Sequence, residues 1–309
     1  MAFNRIAESA GKRFRALMAR ERCLVTPGIY DALSARVAET VGFEAIAISG
    51  FGVETALLGR PDIGLLTLSE LIETARRIAG AVDVPVTVDG ETGFGGVHNI
   101  ARLVREMEDA GIAGIQLEDQ SNPKRCPALE GRMVVSMEEQ LVRLEAAIAA
   151  RSDPDFLIIA RSDADILSYD DLVRRSNRYL EAGADLAMPI CFRFDGKSVG
   201  QMTPDEQMAL YARLARDIDG PIKGVLIPEG HRAADMAEIG YRVLGLSATA
   251  IEAAASAMFR ALGDLRREGS EAGYRARNMP EVPCPAGIMD LVRLDEFLAF
   301  EGRFAKGEG

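Results

Sequence analysis

The sequence predicts an α/β chain folded as one closed (β/α)₈ barrel of the TIM type, a single domain over residues 1–309. Three observations predict it. Eight short β-rich runs alternate with longer stretches whose apolar residues recur every three or four positions. Several runs are apolar nearly throughout, which suits parallel strands covered on both faces and not half-exposed hairpins. Many helical stretches end in Gly just before the next run (VGFEAI, AGIAGI, AGADLA, IGYRVL), and Gly is the usual residue just past a helix C-terminus. Eight such units in one chain point to closure; a doubly wound open sheet is the alternative.

The elements follow in order. Residues 1–23 read as a charged amphipathic helix, without the apolar centre of a signal peptide. The strands are CLVTPG (23–28), FEAIAIS (43–49), VPVTVD (84–89), AGIQLED (113–119), FLIIARSD (156–163), LAMPI (186–190), IKGVLI (222–227) and YRVLGLS (241–247). LSELIETARRIAGA, NIARLVREMEDAG and MEEQLVRLEAAIAAR are the clearest helices between them. Residues 270–287 are the most loop-like stretch. A last helix, MDLVRLDEFLAFEGRF, follows the eighth unit and is expected to pack on a partner subunit, the alternative being that it caps the same barrel.

Composition excludes several classes. The net charge of −11 and pI near 4.9 lack the basic footprint that nucleic acid or anionic lipid requires. Cys23, Cys126, Cys191 and Cys284 contain no CxxC pair and read as reduced thiols. No apolar run approaches the roughly 18 residues of a membrane span. The expected compartment is the cytoplasm.

In such a barrel the chemistry belongs at the C-terminal ends of the strands, and polar residues collect there. Strand 2 ends in Ser49-Gly50-Phe51-Gly52, strand 3 in Asp89-Gly90-Glu91, strand 4 in Glu118-Asp119 and strand 5 in Arg161-Ser162-Asp163. The opposite ends carry little charge beyond Asp83, Asp155 and Lys223. One arginine cannot pair every carboxylate, and clustered oxygen donors suit a hard divalent cation. Asp89, Glu91 and Glu118 are therefore the expected ligands of Mg²⁺, with Mn²⁺ as its substitute. In DQSNPKRCPALEGR after strand 4, Lys124 and Arg125 flank Cys126; neighbouring cations are expected to lower its thiol pKa. His231, after strand 7, is a candidate for a substrate carboxylate or carbonyl, or equally a helix cap. His98 is expected at a helix start. The GETGFGG segment lacks the GK[ST] of a phosphate loop, and no GxSxG is present.

These residues carry a resemblance. The chain resembles the isocitrate lyase/phosphoenolpyruvate mutase superfamily, in particular its short bacterial members, through PGIYDALSARV, AISGFGV, GRPDIGLLTLSE, VDGETGFGG, IQLEDQSNPKRC, IIARSDA and EAGAD, in this order along nearly the whole chain. The resemblance implies a (β/α)₈ barrel whose last helix swaps onto a neighbour, a homotetrameric dimer of dimers, and a small carboxylate substrate passing through an enolate. It implies that Tyr30, Ser49, Gly50 and Phe51 hold the substrate's oxo-acid part, that Asp62, Asp89, Glu91 and Glu118 form the metal shell, and that Arg161 stabilises enolate charge. Lys124, Arg125 and Cys126 would then lie on a mobile gating loop, with Cys126 as the acid/base of a lyase.

Four departures mark this chain. Gly90 and Glu91 stand where the family places Ala and a second Asp. The loop runs Cys126-Pro127-Ala128 in place of Cys-Gly-His. Ile190 replaces a Glu after the strand-6 Pro, and Val225 replaces an Asn after strand 7. The expected activity is a Mg²⁺-dependent carbon–carbon lyase on a 2-hydroxy di- or tricarboxylate, alkylmalate-like in preference to isocitrate. Oxaloacetate (2-oxo acid) decarboxylation and phosphonomutase chemistry are the alternatives.

Overall fold

The computed structural model describes residues 8–277 and 286–304. Residues 278–285 of the loop-like 270–287 stretch, Cys284 among them, lie outside these.

Eight parallel strands close a barrel: β1 Leu24–Ile29, β2 Ile46–Ile48, β3 Val86–Asp89, β4 Gly114–Glu118, β5 Leu157–Ser162, β6 Leu186–Pro189, β7 Ile222–Gly224 and β8 Tyr241–Leu246. Neighbours run in chain order around the ring, and β8 pairs with β1 to close it (Leu24 beside Val243). The open-sheet alternative is thereby excluded. β2, β4 and β5 are buried at every position, the polar Gln116, Glu118, Arg161 and Ser162 together with their apolar neighbours. A short hairpin, Arg193–Phe194 with Lys197–Ser198, follows β6 and stands outside the barrel.

The helices start and stop where the sequence signals them. Thr67 with Glu70 and Thr203 with Glu206 form reciprocal capping boxes at Leu68–Ala81 and Pro204–Asp217. Gly42, Gly111, Gly183 and Gly240 each adopt a positive φ between 81° and 107° on the way from helix to strand, so the conformation itself selects glycine there. His98 lies in the first turn of Val97–Asp109, as expected.

Inward-facing side chains divide the core. Leu24, Leu157, Ile159, Leu186, Met188, Ile190 and Val243 form one interior cluster, with Val225 against it. Phe14 belongs to this cluster and is fully buried. It comes from the N-terminal helix Ala10–Met18, and burial of such a ring contributes about 2–3 kcal/mol. That helix lies so close to the chain before β5 that a Cβ on Gly11 would sit 2.3 Å from the Asp155 carbonyl oxygen. Arg15 fixes it further, donating to the Asp155 carbonyl at 2.9 Å and to Asp185 at 2.7 Å.

Two expectations are corrected. The last helix is broken: Ala286–Leu291 and Leu294–Gly302 are separated at Arg293, whose φ is +61°. Lys223 is not a charge at the far end of its strand. It is fully buried inside the barrel, because the strand is only three residues long and its middle side chain faces inward.

Candidate active site

The expected carboxylates meet at one end of the barrel. Asp89 ends β3, and Glu118 ends β4. Glu91, two residues beyond Asp89, holds φ at +51°, and its amide donates to Asp89 Oδ1 at 3.1 Å. This local turn folds the second acid back onto the first. Asp62 arrives from the segment after β2. Asp62, Glu91 and Glu118 are each at most 6% exposed.

Two cations answer these acids. Lys124 is buried, forms a close ion pair with Asp62 and lies 2.7 Å from Glu91. Arg161, from β5, lies 2.9 Å from Glu118 and 3.7 Å from Asp89. Arg161 also donates through Nε and Nη2 to Asp163, at 2.8 and 3.1 Å. The sequence-based expectation of unpaired acids is thus corrected in part, since Lys124 folds inward and shares the load.

The site still carries more negative charge than its cations balance. Glu118 Oε1 and Glu91 Oε1 are enclosed and accept no hydrogen bond; the latter has only the ammonium of Lys124 near it. Burial pushes the Glu91 carboxyl up to about 8, against the pull of Lys124. Burial likewise drives Glu118 well above the usual carboxylate range. Orphaned carboxylate oxygens among hard donors are what a divalent cation satisfies, so these residues fit one. Glu54, Asp62 and Glu91 also approach one another closely enough to share an ion. Glu54, however, accepts the backbone N–H groups of Ile63, Leu65 and Leu66 at 2.6–2.9 Å. Its oxygens are committed to shaping the Asp62 segment, so Asp62, Asp89, Glu91 and Glu118 remain the candidate ligands.

Gly50 shapes the same space. A Cβ there would lie 2.8 Å from Glu91 Oε1 and 3.3 Å from Asp89 Oδ2. Ser49 caps the short helix Gly50–Val53, accepting from Gly52 N at 3.2 Å, and so aims this turn at the carboxylates. Tyr30 lies against Gly52, where a Cβ would meet its own at 3.0 Å. Phe51 is half-buried on the same turn. A cavity of about 360 Å³ lined by Gly64, Leu66, Glu91, Thr92, Phe94, Asn122 and Pro123 opens beside Glu91.

The Cys126 loop departs from expectation in two ways. Lys124 is an enclosed part of the site and not an exposed loop charge. The Cys126 thiol is pushed up, chiefly by burial, with Asp62 adding to the rise and Arg161 and Lys124 opposing it. Burial outweighs the cations because Lys124 is already engaged by carboxylates and Arg125 turns away. Arg125 donates to the Glu130 carbonyl at 3.2 Å, on the outer side of the loop. The Cys126 amide donates to the Asp62 carbonyl at 3.0 Å and ties the loop to the metal arm. Cys23 and Cys191 are buried thiols raised to about 12 by desolvation.

His231 is not brought to the cluster. Its ring lies 3.7 Å from Asp205 and from Asp235, among the helix starts at the rim. Sequence reasoning also missed Glu54, and it named Asp163 only as part of the polar exit of strand 5, with no role. Asp163 accepts from Arg161, from Gln120 at 3.2 Å and from Arg132 at 3.0 Å, wholly buried. Its signal was available, since an acid two residues beyond the key arginine sits in the same strand exit.

Residues 14–266 match the phosphoenolpyruvate phosphomutase family. The chain belongs to that family. It is 34% identical to 2,3-dimethylmalate lyase of Eubacterium barkeri, over 96% of this chain and 98% of that one. A solved structure of 2,3-dimethylmalate lyase, described as a PEP mutase/isocitrate lyase superfamily member, superposes with a TM-score of 0.83 at 28% identity, over 98% of this chain and all of the other. A phosphonopyruvate hydrolase solved with oxalate and Mg²⁺ gives a TM-score of 0.83 at 30% identity, covering 97% of this chain and all of that one. The protein is an enzyme of the isocitrate lyase/PEP mutase type. Among its described residues no helix is long and apolar enough to cross a membrane.

Proposed function

We propose that this enzyme is a Mg²⁺-dependent carbon–carbon lyase that cleaves a 2-hydroxy di- or tricarboxylate, alkylmalate-like in preference to isocitrate, through an enolate. The observation that carries the reading is the position of Cys126. Its amide is bound to the Asp62 carbonyl, and its thiol lies in the fields of Asp62, Arg161 and Lys124. A proton donor, a fixed cation and the carboxylate set therefore share one site.

Asp89, Glu91, Glu118 and Asp62 would hold Mg²⁺, Asp89 directly and Glu91 and Glu118 partly through water; the ion supplies electrophilic charge to the substrate oxygens. The protein's own groups do the rest. When a 2-hydroxy acid passes its hydroxyl proton to a carboxylate of the cluster and its C2–C3 bond breaks, the hydroxyl carbon becomes the carbonyl carbon of an oxo acid. The bonding pair moves onto the other fragment as an enolate. Arg161, held by Asp163, presents a permanent positive charge to that enolate. Lys124, kept protonated by its carboxylates, is a second fixed cation and not a base. Cys126, kept as a thiol by burial, delivers a proton to the enolate carbon. The raised thiol suits this donor role better than a lowered one.

Substrate size follows from the β6 and β7 side of the barrel. Ile190 and Val225 pack in the same apolar interior cluster. A carboxylate placed against them would lack partners, at a cost of several kcal/mol, whereas an alkyl group would not. The same reading gives a cytoplasmic homotetramer, a dimer of dimers with a swapped C-terminal helix. It is supported by exposed apolar side chains on the two C-terminal helical segments, Met289 at 41% and Leu298 at 55% among them; light scattering would check the mass.

The test is 2-oxo acid release from a panel of 2,3-dimethylmalate, 2-alkylmalates, 2-methylisocitrate, oxaloacetate and phosphonopyruvate, with Mg²⁺ and with EDTA. Cleavage of the alkylmalates that Cys126→Ala abolishes supports the lyase. Turnover of oxaloacetate or phosphonopyruvate alone, indifferent to Cys126, replaces it with a decarboxylase or phosphonate reading. Efficient use of 2-methylisocitrate, with kcat/KM above about 10⁴ M⁻¹s⁻¹, overturns the size argument.

A further inference from the structure

Gln116 of β4 and Lys223 of β7 meet inside the barrel, one layer beneath the carboxylates. Gln116 stands in register with Asp89 and two residues before Glu118. Lys223 Nζ donates a close hydrogen bond to Gln116 Oε1. The lysine is 1% exposed. Its room is made by Gly245, where a Cβ would lie 2.7 Å from the lysine Cε and 3.3 Å from its Nζ.

An ammonium group has donors only, so Gln116 must turn its carbonyl oxygen to Lys223. The amide nitrogen then faces the other way. Among the described residues Gln116 Nε2 has no hydrogen-bond partner, yet it is not among the fully enclosed polar atoms left without one; the 6% exposure of the residue leaves it open. The result is an oriented N–H donor on the barrel floor beside Asp89 and Glu118, where a donor complements an anionic ligand and not a metal.

We propose that Gln116 is a substrate-binding residue whose Nε2 donates to a carboxylate oxygen of the ligand, and that Lys223 is the positioning residue that fixes this amide. The substrate class rests on the lyase reading above; the donor itself needs only a carboxylate ligand. Burial draws the Lys223 ammonium down to about 8, consistent with a group placed for geometry in spite of its desolvation.

The full-length protein is compared with Gln116→Leu, Gln116→Glu, Lys223→Met and the Lys223→Met/Gln116→Leu double variant. Binding of oxalate with Mg²⁺ is read by calorimetry, and KM and kcat on 2,3-dimethylmalate are read separately. A lost hydrogen bond to a charged group corresponds to roughly 10–100-fold. Gln116→Leu is expected to weaken oxalate binding and raise KM by this factor; it also orphans the buried Lys223 ammonium and lowers the thermal midpoint, a cost that the double variant, which removes the ammonium as well, separates from the loss of binding. Gln116→Glu, which puts an oxygen where the donor was, loses more. Lys223→Met loses part, and the double variant is no worse than Gln116→Leu alone, because both act through one amide. Unchanged oxalate affinity and KM in Gln116→Leu, with wild-type cleavage intact, overturn the inference and leave the lyase standing. Weakened oxalate binding by Gln116→Leu in a protein that cleaves no 2-hydroxy acid keeps the donor and overturns the lyase. A wild type that binds no oxalate overturns both.

Discussion

Arg161 and Asp163 form a two-pronged, fully buried ion pair at the exit of β5, with Nε on Oδ2 at 2.8 Å and Nη2 on Oδ1 at 3.1 Å. Asp163 simultaneously receives Gln120 and Arg132 from the loop after β4. Gln120 in turn binds both the amide and the carbonyl of Arg125, next to Cys126. One carboxylate thus aligns the cation that faces the substrate and anchors the segment that carries the thiol. Asp163→Asn should therefore lower kcat by about 10²-fold, as a misplaced catalytic group does, and cost about 3–5 kcal/mol of stability by breaking a buried pair. Steady-state kinetics and urea unfolding measure both. Full activity in a stable variant would detach Asp163 from Arg161 function.

Removal of the Cys126 thiol tests the proton donor. Cys126→Ala should reduce kcat on the true substrate by about 10²-fold or more, while oxalate, which needs no protonation, binds as before. Because burial raises this thiol above its ordinary value of 9.0, the alkaline fall of kcat assigned to it should lie above pH 9. A fall centred near 7 or 8 that disappears in Cys126→Ser would show the thiol to be lowered and reverse this assignment.

Metal uptake should release protons. Glu91 sits at about 8 in the metal-free protein, mainly through burial, and must be ionised to bind a cation. Calorimetry at pH 7 in buffers of different ionisation heats should show proton release on Mg²⁺ binding, absent in Glu91→Gln. The linkage has a definite sign. A carboxyl raised in the folded state contributes stability that is fully present below its unfolded value of about 4.5 and lost as pH rises through about 8. The metal-free protein should lose this contribution across that window, and saturating Mg²⁺ should cancel the loss. A pH-independent difference between the metal-free and loaded proteins contradicts it.

Gly50 tests the geometry of the cluster without removing any charge. A methyl group there would press on Glu91 Oε1 and crowd Asp89 Oδ2. Gly50→Ala should fold and yet bind Mg²⁺ at least about 10-fold more weakly, the scale on which disturbed ligand positioning acts. Unaltered affinity would place the metal away from the Asp89–Glu91 turn.

The barrel was legible because its strands are apolar on both faces and its helices stop at glycines that the backbone then confirms. Asp89, Glu91, Glu118 and Arg161 were legible because strand ends need no side-chain detail to locate. Lys124 was read only as a cation beside Cys126 on a gating loop, since its sequence neighbours Arg125 and Pro123 give no sign of enclosure. Only the fold shows Asp62 and Glu91 waiting for it. Gln116 and Lys223 lie far apart in sequence, on strands too short for alternation to declare which side chains face inward. The thiol of Cys126 was assigned the wrong shift because adjacency in sequence to two cations says nothing of how each one is already engaged.

The N-terminal helix stops the far end of the barrel with Phe14, and this determines the traffic. On the proposed lyase reading, substrate would enter and both fragments would leave on the side where Cys126 and Asp62 are tied together. The fragment nearer that loop would depart first, and the oxo acid held by the cluster would leave second and compete directly with incoming substrate.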